Sequence, residues 1–226
     1  MIEHVTFSSR PASHGVGRGS LACPAGDQPA PAVVVLQEFW GVNEHIESIV
    51  ERWAQAGFLA LAPDLYRGQV ATDRNRASKL MDQLDRERAL ADIAGAVDTL
   101  RAHPRFAGKV GVTGYCLGGA FAFAAATAIE DLGAVVPFYG LPPGADWSKV
   151  TAPIQAHFCR TDGWARPDLA EQVQRAVQAH GGQMDLFVYD APHAFCNDTR
   201  ADVYTPDAAT TAWQRTLAFM QQHLGG

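Results

Sequence analysis

No window of this sequence gathers lysine and arginine into a basic patch, and 24 acidic residues outnumber 18 basic ones, for a formal net charge of −6. A surface that neutralises a phosphate backbone needs the opposite balance, so nucleic acid is not an expected partner. Long apolar runs are missing too: nowhere do about 18 uninterrupted apolar residues occur, which argues against a membrane span. The opening residues, Met-Ile-Glu-His-Val-Thr-Phe-Ser-Ser-Arg, lack the basic stretch and apolar segment of a secretory signal, so a cytoplasmic location is expected. Cysteine is scarce. Cys23, Cys116, Cys159 and Cys196 form no Cys-x-x-Cys pair, and no two of the eight histidines lie three to five residues apart, so a zinc site is not expected. A chain of 226 residues fills a core without disulfide staples, and free thiols are the expectation. Internal repeats, low-complexity tracts and long linkers are also absent, which leaves one domain spanning 1–226.

What is present is ordinary globular composition, 47% hydrophobic and 19% charged, with 21 Gly and 13 Pro, and this excludes collagen-like, disordered and coiled-coil chains. Residues 2–9 alternate apolar and polar, and 18–22 can pair back across the glycine-rich stretch 14–19, which predicts an N-terminal hairpin. Ala32-Val33-Val34-Val35-Leu36 is a short β-branched run of the kind found in strands buried on both faces. Over 44–56, Ile46, Ile49, Val50, Trp53 and Ala54 share one helical stripe, and Gly57 supplies a C-terminal cap. Strand 58–62 stops at Pro63. Residues 73–102 read as two charged helices with Leu80, Leu84, Leu90, Ile93, Val97 and Leu100 facing inward. Beyond them the pattern runs strand 109–113, helix 116–129, strands 134–138 and 153–158, helix 167–179, strand 184–189 and helix 207–223. Such alternation predicts an α/β fold, a mostly parallel sheet with helices on both faces.

The most specific chemical signal is Gly114-Tyr115-Cys116-Leu117-Gly118-Gly119, where a strand passes through Gly-x-Cys-x-Gly directly into a helix. This is the nucleophile-elbow pattern of α/β-hydrolases, with cysteine where serine is usual. The turn lifts the nucleophile above the sheet, and glycines flank it because a Cβ there would collide with neighbouring backbone. The helix N-terminus also favours a thiolate at Cys116. An elbow calls for an acid and then a histidine, each after a later strand. Asp162 follows strand 153–158 and His193 follows strand 184–189, in that order. Taken alone, Asp162 reads equally as a turn-capping residue and His193 as a surface histidine; with the elbow they complete a triad. Cys159 and Cys196 sit in no elbow and read as small buried residues.

Four blocks extend the pattern: Gln37-Glu38-Phe39-Trp40-Gly41-Val42-Asn43, Ala62-Pro63-Asp64-Leu65-Tyr66, the elbow itself, and His193-Ala194-Phe195. Together they resemble the dienelactone hydrolase (carboxymethylenebutenolidase) family of the α/β-hydrolase superfamily, along essentially the whole chain. The resemblance implies Cys116, Asp162 and His193 as the triad. It also implies Glu38 as a carboxylate that contacts the resting thiol and helps deprotonate it; by itself Glu38 reads only as a residue at the end of a buried strand.

The implied reaction is hydrolysis of a small ester or lactone through a thioester, with no metal or organic cofactor. A free thiol has a pKa of about 8.5, so neighbouring bases must generate the attacking thiolate. The backbone N–H groups of Leu117 and Phe39 are assigned to the developing oxyanion. Family members acting on dienelactone hold its carboxylate with two arginines. Arg74 matches the first, with Arg76 close by, whereas Asn197 stands where the second belongs. Trp40, Tyr139, Trp164 and Phe195 are expected in strand-end loops as walls of an apolar pocket. Other readings remain at this stage: a neutral ester or another lactone as substrate, a noncatalytic binding module, or a redox-sensing thiol. The partner expected is a small-molecule substrate, with the protein a monomer or small homo-oligomer.

Overall fold

The structure, a computed structural model, describes residues 1–225. Its strands are β1 (Glu3–Ser8), β2 (Val16–Ala22), β3 (Ala30–Leu36), β4 (Leu59–Pro63), β5 (Phe106–Tyr115), β6 (Leu132–Phe138), β7 (Ile154–Cys159) and β8 (Met184–Tyr189). They form one sheet in the order β1-β2-β4-β3-β5-β6-β7-β8. β1 and β2 are the predicted hairpin, and β2 runs antiparallel to β4. Every pairing from β4 through β3 to β8 is parallel. The helices are α1 (Glu44–Gln55), α2 (Arg74–Asp82), α3 (Arg86–Arg101), α4 (Leu117–Ala128), α5 (Pro167–Ala179) and α6 (Pro206–Leu224). No helix among the described residues is long and apolar enough to cross a membrane.

The two-residue period of β3 divides its side chains between two cores. Val33 and Val35 join Ile46, Ile49, Val50, Trp53 and Ala54 of α1 and Phe219, Met220 and Leu224 of α6. Ala32, Val34 and Leu36 join α3 and α4 on the other face. With neither face wet, the strand reads as an unbroken apolar run. Asn43 starts α1 by accepting the Ile46 N–H at 3.2 Å, and Asp73 and Asp85 cap α2 and α3 in the same way.

Two of the predicted inward leucines sit elsewhere. Leu84 lies in the link between α2 and α3, and Leu90 is at the rim of α3; both are only partly buried against the core. The inner face of α3 is made instead by small residues and Ile93, Val97 and Leu100, which lets the helix approach the sheet closely. It also carries the buried Asp92, whose carboxylate takes Arg67 at 2.6 and 3.1 Å and Ser9 Oγ at 2.5 Å. That ion pair ties the hairpin and the loop after β4 to α3.

Candidate active site

The parallel strands deliver their C-terminal ends to one edge, where loops carry side chains over the sheet. β5 ends at Tyr115, and α4 begins at Leu117, leaving a single residue to reverse the chain. Cys116 does so at φ 55° and ψ −114°, in a region that side chains rarely adopt. Its N–H donates to the Phe138 carbonyl at 3.0 Å and its own carbonyl accepts from Ala120 at 3.1 Å, so the strained residue is held from both sides. The flanking glycines are required as expected: a Cβ on Gly114 would overlap the Gly118 carbonyl, and one on Gly118 would overlap that of Leu36.

The loop after β7 brings Asp162 and the loop after β8 brings His193. His193 Nδ1 donates to Asp162 Oδ2 at 2.6 Å, while Asp162 Oδ1 accepts the N–H groups of Trp164 and Ala165 at 2.8 and 3.0 Å. Burial works to raise the Asp162 carboxyl, but the bond and charge of His193 and these N–H groups outweigh it and hold it below the usual range. An ionised Asp162 leaves His193 Nε2 as the ring's acceptor. Glu38, just past β3, is 2% exposed and accepts from Asn197 Nδ2 at 2.6 Å. Burial raises the Glu38 carboxyl, against the opposing effects of His45, the Asn197 bond, His193 and Arg200.

No hydrogen bond joins the Cys116 sulfur to His193, although both side chains, with Glu38, line one cavity. Burial first, and then the Glu38 charge, push the thiol well above its ordinary value, while the N–H groups of Leu117 and Phe39 point at the sulfur and favour its charged form. A cavity of about 570 Å³ opens over these groups, lined by Glu38, Phe39, Cys116, Asp162 and His193.

Of the expected substrate-facing residues, Trp40, Arg74 and Trp164 line this cavity. Tyr139 does not. It is fully buried and packs edge-on against His193 at 5.1 Å and Phe195 at 5.5 Å, behind the loop after β8; Phe195 is likewise interior. Position at a strand end does not set which way a ring turns, and both rings turn into the core beside α6. Arg200 also lines the cavity, lies 5.8 Å from the Trp40 ring and pairs with Asp202 at 2.5 Å. Its signal in the sequence was its place, seven residues beyond His193. Asn197 is 1% exposed and turned to Glu38, away from the cavity wall.

The model of the dienelactone hydrolase family matches residues 18–224, which takes in every group just described. The chain belongs to the dienelactone hydrolase family. Members are ester and lactone hydrolases, and so is this protein. Similar relatives include Protein usf of Aquifex pyrophilus, 36% identical over 92% of this chain and 94% of that one. Another is a Bradyrhizobium protein named "Probable 2-oxo-3-(5-oxofuran-2-ylidene)propanoate lactonase", 32% identical over 91% of this chain and 89% of its own. Among solved structures, the dienelactone hydrolase-like promiscuous phosphotriesterase P91 from metagenomic libraries superposes with a TM-score of 0.88, covering 99% of each chain. At 22% identity that likeness speaks for the fold alone.

Proposed function

We propose that this dienelactone hydrolase family member is a cysteine-dependent hydrolase whose substrate is a small, carboxylate-bearing lactone. The observation that carries the proposal is Cys116 on its strained turn, between two N–H donors and Glu38, with a His193–Asp162 pair in the same cavity. The substrate class is supported by Arg74, which reaches the cavity with no ion-pair partner among the described residues. It is supported too by the name of the Bradyrhizobium relative, which describes a lactone carrying an acid.

Catalysis begins with transfer of the Sγ proton to Glu38, giving a thiolate beside the carbonyl. Sulfur adds to the carbonyl carbon, and the oxygen takes the negative charge, held by the N–H groups of Leu117 and Phe39. One such preorganised donor is worth about 2.7–4 kcal/mol in other acyl-transfer enzymes. Collapse of this adduct breaks the ring C–O bond, the leaving oxygen takes the proton carried by Glu38, and a thioester remains on Cys116. His193 Nε2, its ring fixed by Asp162, then takes a proton from water as that water attacks the thioester. Expulsion of sulfur as a thiolate completes hydrolysis, and the proton taken up by His193 returns to it to restore the resting thiol.

The test is Cys116→Ala, which removes the nucleophile and little packing. Hydrolysis of lactones and aryl esters should fall to background with an unchanged circular dichroism spectrum, and mass spectrometry of the wild type quenched during turnover should reveal an acyl adduct on Cys116. Retained activity in a folded Cys116→Ala protein refutes the proposal.

A further inference from the structure

Glu38 has two carboxylate oxygens, and the structure treats them differently. Oε2 accepts from Asn197 Nδ2 at 2.6 Å, which is the side-chain hydrogen bond that Glu38 receives. At the other end of the amide, Asn197 Oδ1 accepts from the Thr199 backbone N–H at 3.1 Å and from Thr199 Oγ1 at 2.6 Å. A backbone N–H can only donate, so the oxygen end of Asn197 must face Thr199 and the NH₂ end must face Glu38. An NH₂ group can only donate as well. A hydroxyl oxygen accepts such a bond more weakly than a carbonyl oxygen, so the bond favours Oε2 as the unprotonated oxygen and any proton that Glu38 holds on Oε1.

The turn bearing this amide is itself anchored. The next residue, Asp198, contacts His45 Nδ1 at 3.2 Å and Arg52 at 3.5 Å, both on α1. That helix is entered directly from the loop that begins at Glu38, with Asn43 as its cap. Consecutive side chains of one turn thus grip the Glu38 loop at its carboxylate and at the start of the helix that follows.

We propose that Asn197 is a positioning residue that reserves Oε1 of Glu38 for proton exchange with Cys116. This rests on the reading of Cys116 as nucleophile and Glu38 as its base. The choice of an amide has a second effect. A guanidinium at this place would set a full positive charge against Glu38 and weaken it as a base, whereas a neutral donor orients the carboxylate and leaves it more basic. The other titratable groups around Glu38 are Tyr115 and Cys116 at the end of β5, Tyr139 after β6, His45 on α1, and His193, Cys196 and Arg200 from the loop after β8.

The experiment is the pH profile of single-turnover acylation, in the wild-type background and in Glu38→Gln. Asn197→Leu deletes the donor that favours charged Glu38, so the acidic limb should move upward by roughly one pH unit. Asn197→Asp is nearly isosteric, keeps the acceptor facing Thr199, and should move the limb in the same direction if the leucine variant fails to fold. Asn197→Arg should move it downward. In Glu38→Gln none of the three should shift the profile. Limbs that stay in place in folded variants, or equal shifts with and without Glu38, overturn the proposal. A Cys116→Ala enzyme that still turns over would instead overturn the nucleophile reading itself.

Discussion

Arg74 offers the sharpest measurement of substrate class. It occupies the first turn of α2, is solvent-exposed, and reaches the cavity without an ion-pair partner among the described residues. Its truncation therefore leaves no buried group unpaired, and the helix keeps its Asp73 cap, so stability should change by less than about 0.5 kcal/mol. On the proposed reading, what is lost is one charge-assisted contact to a substrate carboxylate, worth about 1.5–3 kcal/mol when enclosed. Exposure brings that to just below this range, near 1.4 kcal/mol, or about tenfold in kcat/KM. The assay compares kcat/KM of Arg74→Ala and wild type on a carboxylate-bearing lactone and on a neutral aryl ester of similar size. The lactone should lose about tenfold, chiefly through KM, and the ester should be nearly unaffected. Arg74→Lys should recover part of the loss, since a point charge keeps the attraction without the fork geometry. Equal losses on both substrates, or none on either, would show that Arg74 is a solvated charge and remove the support it gives to an anionic substrate.

Two further outcomes follow from other parts of the fold. Gly118→Ala should destabilise the protein by more than about 2 kcal/mol and abolish hydrolysis, because the new Cβ meets the backbone carbonyl of Leu36 and no flexible side chain can yield; a chemical denaturation curve with an unchanged midpoint would contradict this. His157 is fully buried in a network with Tyr189 Oη at 2.8 Å and Gln155 Oε1 and Thr216 Oγ1 at 3.1 Å, and burial, helped by the Arg215 charge, pushes it down to about 3. The unfolded chain binds a proton there below about 6.5 and the folded one does not, so this group contributes stability above that pH that is lost as pH falls toward 3. Melting temperature should therefore decline more steeply over this window in wild type than in His157→Gln.

The elbow was legible because its geometry permits so few residues: the glycines and the strand-to-helix junction belong to one local segment, and local segments are what a sequence displays. The order of strands and helices was legible for the same reason, down to the α1 stripe of Ile46, Ile49, Val50, Trp53 and Ala54, all of which are buried against the sheet. Misreadings arose where a side chain's direction is set by something distant in sequence. Tyr139 follows β6 just as a pocket residue would, but the space it fills is made by the loop after β8, and nothing near position 139 announces that. Asn197 read as a vacancy in a substrate clamp, since its partner Glu38 lies 159 residues away. Leu90 matched the helical period, yet the tight approach of α3 gave the inner positions to smaller residues and moved it to the rim.

The positive φ of Cys116 has an evolutionary corollary. The strain there, of order 1–3 kcal/mol, belongs to the backbone and falls equally on any side chain with a Cβ. On the proposed reading of Cys116 as nucleophile, exchange of sulfur for oxygen at this position changes the attacking atom without adding conformational strain, because serine inherits the same turn on the same terms. The scaffold is thus indifferent to which atom attacks, and selection can act on reactivity alone. Glycine is the one residue that would relax the turn, and it is the one that carries no nucleophile; at this site the route to greater stability and the route to activity point in opposite directions.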